Sequence, residues 1–160
     1  MKTVKRVMAC VDFSDYSLET IESALTMTKG QQVEIVLFNV IDKKDVNVVE
    51  KISHNFPEMI SPEDYVKGVE TERRKLLEKM IMDHFQDDRA RLKILFHVGI
   101  PYDAILHAIE TEKIDLVVIA SKGRSNLIGT LHGSTAEKVF RHAPVPVLSV
   151  RNREKFSRHQ

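Results

Sequence analysis

The chain has 160 residues, enough for one domain with a core of its own. Its 24 Lys and Arg stand against 23 Asp and Glu, so no strong basic field exists to draw nucleic acid. No apolar run is long enough to span a membrane, no secretory leader pattern opens the chain, and the single cysteine, Cys10, excludes an internal disulfide; a cytoplasmic location is expected.

Residues 5–11 form a short β-rich run, and Cys10 within it reads as a strand residue rather than a nucleophile. Ser14 and Asp15 then open a helix carrying Leu18, Ile21 and Leu25 at helical spacing, and Gly30 ends it. Residues 33–40 are a second strand. Residues 41–61 have poor periodicity and read as a long excursion with a short helix near 45–53. Ser61-Pro62-Glu63-Asp64 is a strong helix start: a capping hydroxyl, proline in the first turn, and acids near the positive end of the dipole. Val66, Val69, Leu76, Leu77, Met80, Ile81 and Phe85 continue that helix, and the charge run Glu70, Glu72, Arg73, Arg74, Lys75 reads as its solvated face.

Residues 91–98 alternate as a strand. Gly99-Ile100-Pro101 turns the chain into a helix over 101–113, and residues 114–120 are a nearly continuous apolar strand, as expected of one covered on both faces. A glycine-bearing loop leads to a helix at Ser134–His142. Ala143-Pro144 breaks it, and 145–150 is the last strand, with Pro146 at its start or on an edge. Residues 151–160 carry Arg151, Arg153, Lys155 and Arg158 and read as a basic, solvated tail beyond a single domain at 1–150. The alternation predicts an α/β fold: an open parallel sheet with helices on both faces.

Ligands of such sheets sit beyond the carboxyl ends of the strands, where the strand order reverses. Asp12 follows the first strand and the loop from Ala120 to Ser134 follows the fourth, so neighbouring placement of those strands would bring both to one crevice. The loop runs Ala120-x2-Gly123-x9-Gly133-Ser134, with Thr135 next and Arg124 beside the first glycine. Small residues there let backbone N–H groups approach an anion, and the helix start adds its dipole. Each residue also has a plain role. Gly123 can supply a positive φ, Asp12 can cap the first helix, Ser134 with Glu137 forms a capping-box pattern, and Arg124 can be a solvated loop residue.

Other phosphate motifs are excluded. Gly123 and Gly129 bracket five residues with no lysine after the second, so there is no Walker A loop, and no G-x-G-x-x-G follows the first strand. The seven histidines show no metal spacing, and no carboxylate pair or nucleophile–base pair suggests catalysis.

On these residues the chain resembles the universal stress protein family over nearly its whole length. The likeness rests on Val11-Asp12-Phe13-Ser14, Phe38-Asn39-Val40-Ile41-Asp42, Gly99-Ile100-Pro101, the loop, and Ala136-Glu137-Lys138-Val139 with Ala143-Pro144-Val145-Pro146-Val147. The ATP-binding branch carries G-x2-G-x9-G-[ST]; here the first glycine is Ala120. The resemblance implies a five-stranded sheet of order 3-2-1-4-5 and a homodimer through the last strand, 145–150. It also implies bound ATP or AMP. Asp12 would then lie near the ribose or a nucleotide-bound magnesium, Val11 and Val40 near adenine, and Gly123, Gly133, Ser134 and Thr135 near phosphate, with Arg124 an added charge. The function implied is a regulator of the stress response with an unknown protein partner. The alternatives are a nucleotide-free dimeric interaction protein of the same fold, which Ala120 favours, and a slow ATPase on this fold.

Overall fold

The computed structural model describes residues 3–122 and 134–151. The elements in chain order are β1 (Arg6–Cys10), α1 (Ser17–Met27), β2 (Glu34–Asp42), α2 (Lys43–Asn55), α3 (Pro62–His84), a 3-10 turn (Gln86–Arg91), β3 (Leu92–Gly99), α4 (Pro101–Thr111), β4 (Leu116–Ala120), α5 (Ser134–His142) and β5 (Val147–Val150). All strand pairings are parallel, in the order β3-β2-β1-β4-β5, as the family resemblance implies.

Alternation along the strands divides the core between the two sheet faces. Val7, Ala9, Ile35, Leu37 and Val118 meet Ile21, Ala24 and Leu25 of α1 and Leu77 and Ile81 of α3. Met8, Val36, Phe38, Val117 and Ile119 meet Ala104, Ile105, Ala108 and Ile109 of α4 and Ala136 and Val139 of α5. The central strands are buried on both sides, which is why β4 reads as a continuous apolar run. Among the described residues no helix is long and apolar enough to cross a membrane.

Local chemistry sets most element ends. Ser61 Oγ accepts the Asp64 N–H at 3.1 Å with Pro62 behind it, the start the sequence announces for α3. Gly99 lets α4 approach the sheet: a Cβ there would stand 3.3 Å from that of Ala104. Three expectations shift. The excursion at 41–61 is more ordered than its periodicity suggests. Ile41 and Asp42 complete β2, and α2 begins at once, with Asp42 Oδ1 accepting the Lys44 N–H at 2.9 Å. Its pattern is thin because only Val46 and Val49 are buried, while Val48 and Ile52 are exposed. α1 starts at Ser17 rather than at Ser14 or Asp15, because Ser14 Oγ accepts the Tyr16 N–H in a turn ahead of the helix. β5 begins at Val147, and Pro146 contributes only its carbonyl, which accepts the Val117 N–H at 3.0 Å.

Candidate functional site

β1 sends its chain toward β2, and β4 sends its chain toward β5, so the strand order reverses between them. The β1–β4 pairing runs only from Val7 to Ala9 on the β1 side. Beyond it the two strands part, and a crevice of about 430 Å³ opens over their carboxyl ends. Val11, Asp12, Val40, Ala120, Ser134 and Thr135 all line it. These are the described members of the residue set the sequence singled out. Gly123, Arg124 and Gly133 lie outside the described residues, as does the tail beyond Arg151.

Asp12 sits at the rim of β1. Its Oδ1 accepts the Ser14 N–H at 3.0 Å and the Ser17 hydroxyl at 3.4 Å. Asp12 therefore shapes the turn ahead of α1 rather than capping that helix, whose cap position is Tyr16 with no side-chain hydrogen bond. It also has a place in the crevice, and its Oδ2 has no partner among the described residues. Phe13, next in the chain, has φ 61°, a left-handed conformation that costs a non-glycine residue about 1–3 kcal/mol. The strain is held where Asp12 folds the chain over the end of β1.

Ala120 ends β4 and lines the crevice. Its φ is not in the left-handed region, so alanine fits this backbone without strain. Ser134 is the first residue of α5, so its N–H belongs to the helix's first turn. The capping-box partner suggested by sequence is occupied elsewhere: Glu137 Oε1 accepts from Arg141 at 2.8 Å. Cys10 packs partly buried against the α4–α5 core and also borders the crevice. Desolvation, and then the charge of Asp12, push its thiol from 9.0 up to about 12. It stays a neutral apolar wall at neutral pH, as a strand residue rather than a nucleophile should.

The structure adds residues that sequence reasoning passed over. Asn39, on β2, is buried, and its Nδ2 donates to the Val11 carbonyl at 2.6 Å. Arg73 is not part of a solvated face. It reaches from α3 to the crevice, and donates to Asn39 Oδ1 at 2.8 Å and to the Val40 carbonyl at 3.2 Å. The signal was present: Arg73 lies one helical turn before buried Leu77, on the inner face of α3. Lys44 and Asp45, at the start of α2, border the same crevice. Among the described residues no group of three or more His, Cys, Asp or Glu is placed to hold a metal ion.

A strained turn, a carboxylate, apolar walls and a helix start surround the switch point, where proteins of the open parallel α/β class place their ligand crevice. The chain belongs to the universal stress protein family, whose model matches residues 3–151. Universal stress protein MJ0577 of Methanocaldococcus jannaschii is 28% identical over 162 aligned positions, covering 93% of this chain and 96% of its own. A solved structure of MJ0577 superposes with a TM-score of 0.77 at 24% identity, covering 93% of this chain and 96% of that one. A universal stress protein in complex with cAMP has a TM-score of 0.61 at 19% identity, covering 94% of this chain and 98% of that one. A family member from Arabidopsis thaliana with AMP bound has a TM-score of 0.54 at 17% identity, covering 96% and 95%. At these identities the solved structures speak for the fold, and two of them hold adenine nucleotides.

Proposed function

We propose that this protein is an adenine-nucleotide-binding regulator that acts as a homodimer in the cytoplasm rather than by turnover. The observation that carries the reading is convergence. The turn after β1, the end of β2, the end of β4 and the first turn of α5 meet in one crevice large enough for a nucleoside phosphate. Val40, Pro101, Ile105 and Ile119 offer apolar surface to a base. Asp12 Oδ2 suits a ribose hydroxyl or a magnesium ion. With no metal cluster among the described residues, magnesium would arrive on the phosphates, as a hard ion that keeps most of its waters. The α5 start, Ser134 and Thr135 supply N–H and hydroxyl donors for phosphate. Gly123, Arg124 and Gly133 complete the proposed phosphate loop. One carboxylate already tied to Ser14 and Ser17 is a poor general base, so hydrolysis is at most slow.

Titration calorimetry with AMP, ADP and ATP, with and without magnesium, tests this. Binding is expected. In Asp12→Asn the Oδ1 acceptor persists, so the fold holds, while the magnesium-dependent part of ATP affinity is lost. Absence of heat with all three nucleotides would leave the nucleotide-free interaction protein as the better reading.

A further inference from the structure

We propose that Arg73 is the positioning residue of the crevice's inner end, acting through Asn39 on the Val11 carbonyl, directly on the Val40 carbonyl, and through the Phe13 ring on the Asp12 turn. This rests on the nucleotide reading of the site and goes beyond it by assigning what holds the site in shape before a ligand arrives. Arg73 comes from α3, outside every segment that the sequence pointed to as binding.

The argument begins with Val11. Its N–H donates to the Phe38 carbonyl at 2.9 Å, just past the paired residues of β1 and β2. β1 is assigned only to Cys10, and the chain then bends away through Asp12 and Phe13. Val11 is buried, so its carbonyl needs a partner at the point where the strand leaves the sheet. Asn39 Nδ2 supplies it at 2.6 Å. Which way the Asn39 amide faces is decided by Arg73. A guanidinium only donates, so Asn39 must turn Oδ1 toward it and Nδ2 toward Val11. The flipped amide would set donor against donor and acceptor against acceptor, in a residue only 3% exposed. The relay Arg73 → Asn39 → Val11 therefore has one allowed polarity.

The same Arg73 Nη1 donates to the Val40 carbonyl, so the peptide groups at the ends of β1 and β2 are aimed by one side chain. Each carbonyl keeps a second lone pair, now in a fixed direction, for a donor on the ligand. The Arg73 guanidinium also lies 5.9 Å from the centroid of the Phe13 ring, within cation–π reach. Phe13 carries the strained φ that brings Asp12 over the crevice. A strained residue persists only where its surroundings over-determine it, and Arg73 is one of those constraints. α3 thus grips both the base end and the ribose end of the proposed site.

The test uses Arg73→Met, Asn39→Leu and their combination, with AMP titrated into each full-length protein. Asn39→Leu is close in size and removes both the acceptor for Arg73 and the donor to the Val11 carbonyl, without leaving a buried charge in the double variant. Each single variant is expected to weaken AMP binding about tenfold, and the double variant no more than the worse single, because both break one relay. Additive losses, or affinities equal to wild type, would overturn the proposal. A readout independent of ligand is the Asn39 side-chain amide in ¹H–¹⁵N spectra. Arg73→Met should shift that pair and speed its exchange with water, and Arg73→Lys, which keeps a cationic donor group, should restore part of its protection. An unmoved Asn39 amide overturns the relay even if the nucleotide reading holds. Absence of AMP binding to wild type together with a shifted Asn39 amide overturns the nucleotide reading alone.

Discussion

Ala120 is the point at which the two functional readings separate. It lines the crevice where the ATP-binding loop pattern has glycine, in a backbone conformation that alanine adopts freely. Glycine at a strand position costs roughly 0.5–1 kcal/mol of stability. Ala120→Gly is therefore expected to lower Tm slightly and to change ATP affinity by less than about threefold, read by calorimetry. A large gain in affinity would mean that the natural methyl narrows the site. Cys10, on the neighbouring strand, makes a prediction in pH. Its folded pKa is raised from 9.0 to about 12, first by desolvation and then by the charge of Asp12. Below pH 9 the thiol is protonated in both folded and unfolded chains, and its contribution is fully present. As pH rises above about 9 only the unfolded chain ionises, so stability falls toward about pH 12. Wild type should lose Tm faster than Cys10→Ala between about pH 9 and about pH 11, a difference absent at neutral pH.

Among the elements, those whose ends are written in short-range chemistry were legible in sequence, and those defined by contact were not. Ser61 announces α3 because a hydroxyl, a proline and two acids act within one turn. Ser61→Ala should cost about 1 kcal/mol, lowering Tm by about 2–4 °C. It should leave nucleotide affinity unchanged, because Ser61 is absent from the crevice lining. α2 shows the opposite case. Two buried valines among exposed apolar and charged residues give little periodicity, and its contact with α3 completes it. Arg73 was misread for a related reason. Neighbouring charges made it look like one more solvated group, whereas its place one turn before Leu77 put it on the inner face. Asp12, Val40, Ala120 and Ser134 were findable because ligand crevices follow strand ends. Asn39 was hidden because its role depends on where Val11 leaves the ladder, a fact of pairing between segments 28 residues apart.

At the scale of the molecule the open sheet leaves two edges, β3 and β5, and the proposed homodimer uses the second. β5 has four residues, and their backbone directions follow from the bonds to β4. The Val117 N–H donates to the Pro146 carbonyl and the Ser121 N–H to the Val150 carbonyl, both at 3.0 Å. In a parallel ladder alternate residues turn their backbone groups to the same neighbour, so Leu148 also faces β4. Val147 and Ser149 turn theirs to the open edge. Proline at 149 would therefore remove an edge donor without breaking a bond to β4, at a position where the preceding residue is already extended. The Ser149 hydroxyl is buried with no hydrogen-bond partner among the described residues, so its loss breaks no side-chain bond there. Light scattering coupled to size exclusion should give a dimer mass for wild type and a monomer mass for Ser149→Pro, with nucleotide affinity per chain preserved. A dimer that survives Ser149→Pro would move the interface away from β5. The exposed apolar residues Val48, Ile52 and Phe56 at α2 and its end would be the next surface to test.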